Sequence, residues 1–276
     1  MLKKLILKIA NYLKNIYEED IAIITKSKIG KKYTWKPDVP DFRDQKFTII
    51  SPVKLPKSVD LSSGNPNVYD QGQLGSCTAN SLSGSYDFER IKQKLAPLFP
   101  SRLFVYYNER LMEGTVSSDS GAQIRDGIKV LASQGVCSEQ EWPYDTDKFT
   151  VKPSDACYKD ASANTIKQYL RLDNTDIKQL KTCLAQGYTF VFGFTVYESF
   201  EGEDVASSGI VPMPDGSEQC MGGHAVYCVG YDDSKGAFKV RNSWGPNWGD
   251  GGNFWLPYEY MTNADLANDF WTIRLV

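Results

Sequence analysis

The feature of this 276-residue sequence with the widest reach is a change of pattern at Gly187. Upstream of it, from about residue 70, the spacing predicts helices. Residues 78–95 begin with the small side chains Thr78, Ala79, Ser81, Ser83, Gly84 and Ser85, and carry Leu82, Tyr86, Ile91 and Leu95 on a common face. Small side chains let a helix backbone lie close to its neighbours, so this helix is expected to be buried. Residues 102–113 and 122–133 predict two more, the second ended by Gly135. Residues 176–186 form another, capped by Asp176 and stopped by Gly187. Downstream, residues 188–197, 225–231, 237–241, 252–256 and 269–275 are β-rich runs separated by Gly, Asp, Pro and Asn. Helices first and strands afterwards imply an α+β chain of two lobes. A cleft between lobes is a common place for an active site.

Ahead of these lobes lies a different kind of segment. Residues 1–17 set Leu2, Leu5, Ile6, Ile9, Leu13 and Ile16 at helical spacing, with Lys3, Lys4, Lys8 and Lys14 largely off that stripe. They predict a basic amphipathic helix, followed by a short apolar run at 21–24. Residues 36–60 carry Pro37, Pro40, Pro52 and Pro56 and are expected to be extended. The boundary is placed near residue 55: an N-terminal extension over 1–55, then a domain over 56–276 with its helical lobe at 70–165 and its β-rich lobe at 166–276. A net charge of −3 lacks the basic footprint that nucleic acid requires. No apolar run approaches the roughly 18–20 residues needed to span a bilayer. Lys8, Asn11 and Lys14 also break the stretch that a secretory signal would need after Lys3-Lys4.

The chemistry is narrowed by one count. The chain has a single histidine, so any reaction that needs imidazole runs through His224. Six cysteines stand at 77, 137, 157, 183, 220 and 228. Cys77 lies in Gln71-Gly72-Gln73-Leu74-Gly75-Ser76-Cys77, where the glycines allow a tight turn into the following helix. A thiol at a helix N-terminus faces unpaired N–H groups and the positive end of the dipole, both of which favour thiolate. The competing assignment is a buried cysteine that only fills space. His224 follows Gly222-Gly223 and is expected to open a strand. Asn242 stands 18 residues later, in Arg241-Asn242-Ser243-Trp244-Gly245. A strand, a turn and a second strand bring it beside His224, where its carbonyl can fix the imidazole while Trp244 shields that bond. Cys220, His224 and Cys228 offer three soft ligands within nine residues. They lack a C-x₂-C pair, so neither a metal site nor a cofactor is expected.

Taken in order and local context, these segments resemble the papain family of cysteine peptidases over residues 57–276, with His224 147 residues after Cys77. Ser120-Gly121-Ala122 resembles that family's segment for substrate backbone. The resemblance implies a helical lobe packed against a β-barrel-like lobe, and a cysteine endopeptidase acting on peptide or protein substrates. Cys77 and His224 would form a thiolate–imidazolium pair and an acyl-enzyme, with Asn242 orienting the base. The Gln71 amide and the Cys77 N–H would receive the oxyanion. Ser120, Gly121, Gly223 and Trp244 would border the substrate, with an apolar pocket beside them setting specificity.

The chain also departs from the family. Leu74 and Thr78 replace a cysteine and a tryptophan, and no cysteine follows Asn242, so the family's disulfides are not carried over. A reducing, intracellular setting is the expectation. With one histidine there is no histidine pair for an occluding loop, which implies an endopeptidase. Acyl transfer or deamidation by the same triad, and peptide binding without catalysis, stand as alternatives. Residues 1 to about 50 are expected to cover or brace the active site. Contact of helix 1–17 with a membrane surface, or its simple docking, is the competing expectation.

Overall fold

The small side chains that open the first long helix set the architecture. In the computed structural model, which describes residues 29–49, 54–64, 67–96 and 98–275, helix α1 (Cys77–Lys92) has its first thirteen residues buried, out of sixteen. It lies directly on the sheet: a Cβ added at Gly84 would sit 2.5 Å from the Tyr227 ring. Gly84→Val is therefore expected to lower unfolding stability by about 1–3 kcal/mol through overpacking. The check is a lower urea midpoint at unchanged m-value. Helix α2 (Arg102–Glu113) is capped by Ser101, whose hydroxyl accepts from Phe104 N–H, and ends on left-handed Gly114. Helix α3 (Ile124–Ser133) ends as the sequence predicts: Gly135, at φ +78°, donates its N–H to Val130 O. Leu82, Leu103, Phe104, Ile128 and Leu131 join these helices in one core.

The strands are β1 (Ser58–Asp60), β2 (Gln168–Arg171), β3 (Phe190–Tyr197), β4 (Cys220–Asp232), β5 (Ala237–Arg241), β6 (Asn253–Pro257) and β7 (Ala267–Arg274). All pair antiparallel in the order β2-β7-β3-β4-β5-β6, with β1 added to β4. Alternation along β3 divides its side chains. Phe190, Phe192 and Phe194 enter an aromatic core with Phe200, Phe238, Phe254 and Phe270, while Val191 faces the helices. The sheet thus joins two cores, one per lobe. Helix α5 (Ile177–Ala185) has the expected ends, with the Asp176 carboxylate accepting from the N–H groups of Lys178 and Gln179 and Gly187 at φ +79°.

Several elements differ from expectation. The short strands β1 and β2 and the helices α4 (Asp155–Ala161), α6 (Glu203–Ser208) and α7 (Tyr258–Thr262) are too brief to leave a periodic signature. Strand β4 starts at Cys220, so His224 sits inside it rather than opening it. Gly222 and Gly223 pair with Val196 and Thr195 of β3. They are bare because another strand-like segment passes over them: a Cβ on either would come within 2.6 Å of the Tyr33 or Trp35 carbonyl oxygen. That segment belongs to the N-terminal extension. Single parallel bridges tie Thr34 to Gly223, Lys36 to Gln123 and Lys46 to Arg171. Tyr33 and Phe47 enter the aromatic core and Trp35 the helical one. The helix predicted at 1–17 and the apolar run at 21–24 lie outside the described residues. Among the described residues, no helix is long and apolar enough to cross a membrane.

Candidate active site

The turn before α1 is organised by its own side chains. Asp70 accepts the Gly72 N–H at 2.8 Å, and Gly72 takes φ +63°. Ser76 at the N-cap makes no capping bond. Its hydroxyl instead meets the Tyr144 hydroxyl at 2.5 Å and the Asn80 amide at 3.0 Å. Cys77 becomes the first residue of the helix, as predicted, but its environment overturns one expectation. The thiol is fully buried, and burial pushes it up from 9.0 to about 12, opposed by the nearby Ala225 backbone. A shift of that size is worth about 4 kcal/mol, whereas a helix terminus typically contributes ~1 kcal/mol or less. Desolvation wins, and Cys77 is a neutral thiol in this state.

His224 lies one residue before Ala225 on β4. Its Nε2 is 2.9 Å from Asn242 Oδ1. That oxygen also accepts the Ser243 N–H at 2.8 Å, which fixes the amide orientation and requires Nε2 to carry the proton. Nδ1 therefore holds the lone pair, and it has no hydrogen-bond partner among the described residues. Trp244 stacks on the ring at 5.3 Å and 24°, and Tyr33 meets it edge-on at 6.1 Å. Burial lowers the imidazole to about 4, opposed by the bond to Asn242 and assisted by the charge of Lys31.

Gln71, Gly121 and Ser120 are each held by defined hydrogen bonds. Gln71 is buried; its N–H donates to Ser243 O at 2.9 Å, its Oε1 accepts from Ser243 Oγ at 2.5 Å, and its Nε2 donates to Leu74 O at 3.0 Å. Gly121 takes φ +65° and donates its N–H to the Tyr106 hydroxyl at 3.2 Å. Ser120 turns its hydroxyl to Thr115 Oγ1 at 2.9 Å and to the Gly121 carbonyl at 3.2 Å. The metal alternative fails on geometry: Cys220, His224 and Cys228 lie along one strand, and four residues of strand span about 13 Å, too far to share an ion.

Within the segment expected to cover or brace the site, the sequence does not single out residues 31–36. Trp35 N–H donates to Gly223 O at 2.9 Å and Lys36 N–H to Ala122 O at 3.3 Å. Thr34 Oγ1 donates to Gly75 O at 2.8 Å, and Tyr33 Oη to Glu201 Oε1 at 2.7 Å. Lys31 reaches Gly72 O at 3.1 Å, and Lys32 pairs with Asp119 at 2.7 Å. Residues 31–36 thus bridge the Gly72–Gly75 turn and Gly121 on one side to Gly223 on the other. The indole of Trp35 packs on Gly193 and Gly223, and a Cβ at Gly193 would collide with it. Gly193 was the available signal, because a glycine inside the run Phe192-Gly193-Phe194 marks a close approach.

The buried, neutral His224 gives this state a pH dependence. A depressed folded value means that the contribution to stability is complete above the unfolded value of about 6.5. It is lost progressively as pH falls toward the folded value of about 4. The expected loss is about 3 kcal/mol across that window. Thermal melts of the Cys77→Ala chain between pH 7 and 4 check it, and His224→Gln is expected to flatten the profile.

The family model described as papain family cysteine protease matches residues 55–272. An uncharacterised peptidase C1-like protein of Acanthamoeba polyphaga mimivirus is 42% identical over 268 residues, 94% of this chain and 84% of that protein. The crystal structure of xylellain, a cysteine protease from Xylella fastidiosa, superposes with a TM-score of 0.82 at 50% identity, covering 88% of this chain and 96% of that one. The digestive procathepsin L 3 of Tenebrio molitor shares the fold, with a TM-score of 0.66 at 20% identity over 84% of this chain and 75% of its own.

Proposed function

Because the chain belongs to the papain family of cysteine proteases, we propose that it hydrolyses internal peptide bonds with Cys77 as nucleophile and His224 as its base. The observation that carries this is the His224 Nε2–Asn242 Oδ1 bond, which leaves the Nδ1 lone pair buried and without a partner among the described residues, available to a thiol. When the cleft opens and water returns, the burial that keeps both groups neutral is relieved. His224 Nδ1 then takes the thiol proton, and the thiolate attacks the substrate carbonyl. The Cys77 backbone N–H and the Gln71 side-chain amide donate to the developing oxyanion, each such donor being worth on the order of 10²–10³ in rate. His224 protonates the departing amine, then draws a proton from the water that cleaves the acyl-enzyme. Asn242 holds the ring throughout, and Trp244 keeps water from that bond.

Residues 31–36 act as an internal cover. They use the contacts that a substrate main chain would use, above all the Gly223 carbonyl and the backbone at Gly121 and Ala122. The place of Trp35 then marks the specificity pocket, whose walls at Gly193 and Gly223 leave room for a large aromatic side chain.

The test is hydrolysis of fluorogenic peptides by a chain lacking residues 1–50. Peptides with an aromatic residue for this pocket should be cleaved faster than those with alanine there. Gly193→Val should cut kcat/KM for the aromatic peptides by roughly 10–100-fold while sparing the alanine ones. No hydrolysis of any peptide by a folded, uncovered chain would overturn the proposal. Equal loss on both peptide sets would overturn the pocket.

A further inference from the structure

Away from the cleft, a long surface loop ends in two thiols. Cys137 follows the Gly135 turn after α3, and Cys157 lies in α4; they are 0% and 1% exposed. Their sulfurs and a Glu141 carboxylate oxygen all lie within 4.8 Å of one another. Cys157 Sγ is also 3.2 Å from Ser154 Oγ. The packing around them is apolar and aromatic, with Phe104, Val136, Ala161 and Tyr158 in the same cluster.

We propose that Cys137 and Cys157 form an intramolecular disulfide that closes the loop between them. The pairing is absent from the disulfides whose loss the sequence signals, since those involved positions now held by Leu74 and by residues after Asn242. Three donors at one point also raise the alternative of a soft metal ion. Burial argues for the disulfide. Holding a metal would place two thiolates where desolvation already pushes the Cys137 thiol up, whereas a disulfide is neutral and suits an apolar site. Formation needs an external disulfide such as oxidised glutathione. One protein thiolate attacks it and releases one thiol, and the second protein thiol displaces the other. The balance is one external disulfide reduced to two thiols and two protein thiols oxidised to one bond.

Such a bond has a structural consequence near the active site. The loop carries Tyr144, whose hydroxyl meets Ser76 Oγ at 2.5 Å and donates to the Gln71 carbonyl at 3.0 Å. It also carries Glu139, which pairs with Arg102 at 2.7 Å. Joining its ends holds the brace behind the turn that delivers Cys77.

The experiment uses the full chain with Cys77→Ala, which removes the nucleophilic thiol and leaves five others. It is refolded in a glutathione redox buffer, so that burial of the thiols cannot block exchange. Denaturing alkylation and intact mass should then count three free thiols, and peptide mapping should recover the segments of Cys137 and Cys157 joined. The melting temperature should rise by roughly 5–10 °C, fall back with dithiothreitol, and fail to rise when Cys157→Ala is added. Five alkylated thiols, a bond between other cysteines, or reduced protein that instead holds stoichiometric zinc at this pair would each overturn the proposal. Peptidase activity is not read, so the result is independent of the proposed function.

Discussion

Deleting residues 1–50 is expected to raise the rate at which iodoacetamide alkylates Cys77 at pH 7 by at least ~100-fold, because thiolate is the reacting species and the cover suppresses it. In the covered state the thiol sits at about 12, which leaves on the order of one thiolate in 10⁵ molecules at pH 7. That ratio sets the ceiling of the effect. Its sources are steric and electrostatic together. The Trp35 and Tyr33 backbones close over Gly223 and Gly222, and the same closure removes the water that both charged groups need. The deletion also takes Tyr33, Trp35 and Phe47 from the two cores, so a gentler variant is needed beside it. Trp35→Ala in the full chain should shift the rate the same way by a smaller factor, since truncating a buried tryptophan weakens docking by roughly 3–5 kcal/mol. Equal alkylation rates in all three proteins would show that the segment does not control access.

The second large effect is expected at the base. In the uncovered chain, His224→Ala should lower kcat/KM by on the order of 10³–10⁶, the range seen when a member of a nucleophile–base unit is removed. The alkylation profile of Cys77 should change with it. With His224 present, the rate should stay high from about pH 5 to 8, because the imidazolium stabilises the thiolate; without it, the rate should climb toward the ordinary thiol value near 8.5. Asn242→Ala should cost less, because it frees the ring without removing it. A His224→Ala chain with undiminished turnover would exclude the imidazole from the reaction.

The helical and strand lobes were legible because the long elements carry their own signals. The helix over 102–113 was recovered with its observed bounds, and 237–241 as the strand, since apolar periodicity and turn residues agree there. The small residues of α1 correctly announced close packing, now seen where Gly84 meets Tyr227. Short elements such as β2 escaped, for they form only because β7 and residues 45–47 lie alongside. The start of β4 lies earlier than the sequence suggests because Gly222-Gly223 signals a turn in isolation and an overlying chain in the fold.

At the site, the order Gln71, Cys77, His224, Asn242 was visible in the local motifs. The charge state was not. Sequence context at a helix N-terminus points to a thiolate, but the thiol is buried in a core that also holds Trp35, more than 40 residues upstream. Ser243 stands out in the sequence only as part of a motif, yet its hydroxyl ties Gln71 to the strand end that holds Asn242. Trp35 carried no motif at all.

The most direct measurement is labelling by an epoxide-type thiol inhibitor, read by intact mass and peptide mapping on the chain freed of residues 1–50. A single adduct at Cys77, gone when His224→Ala is introduced, is the predicted result. Adducts scattered over several cysteines, and indifferent to that substitution, would contradict a working sulfur–imidazole pair.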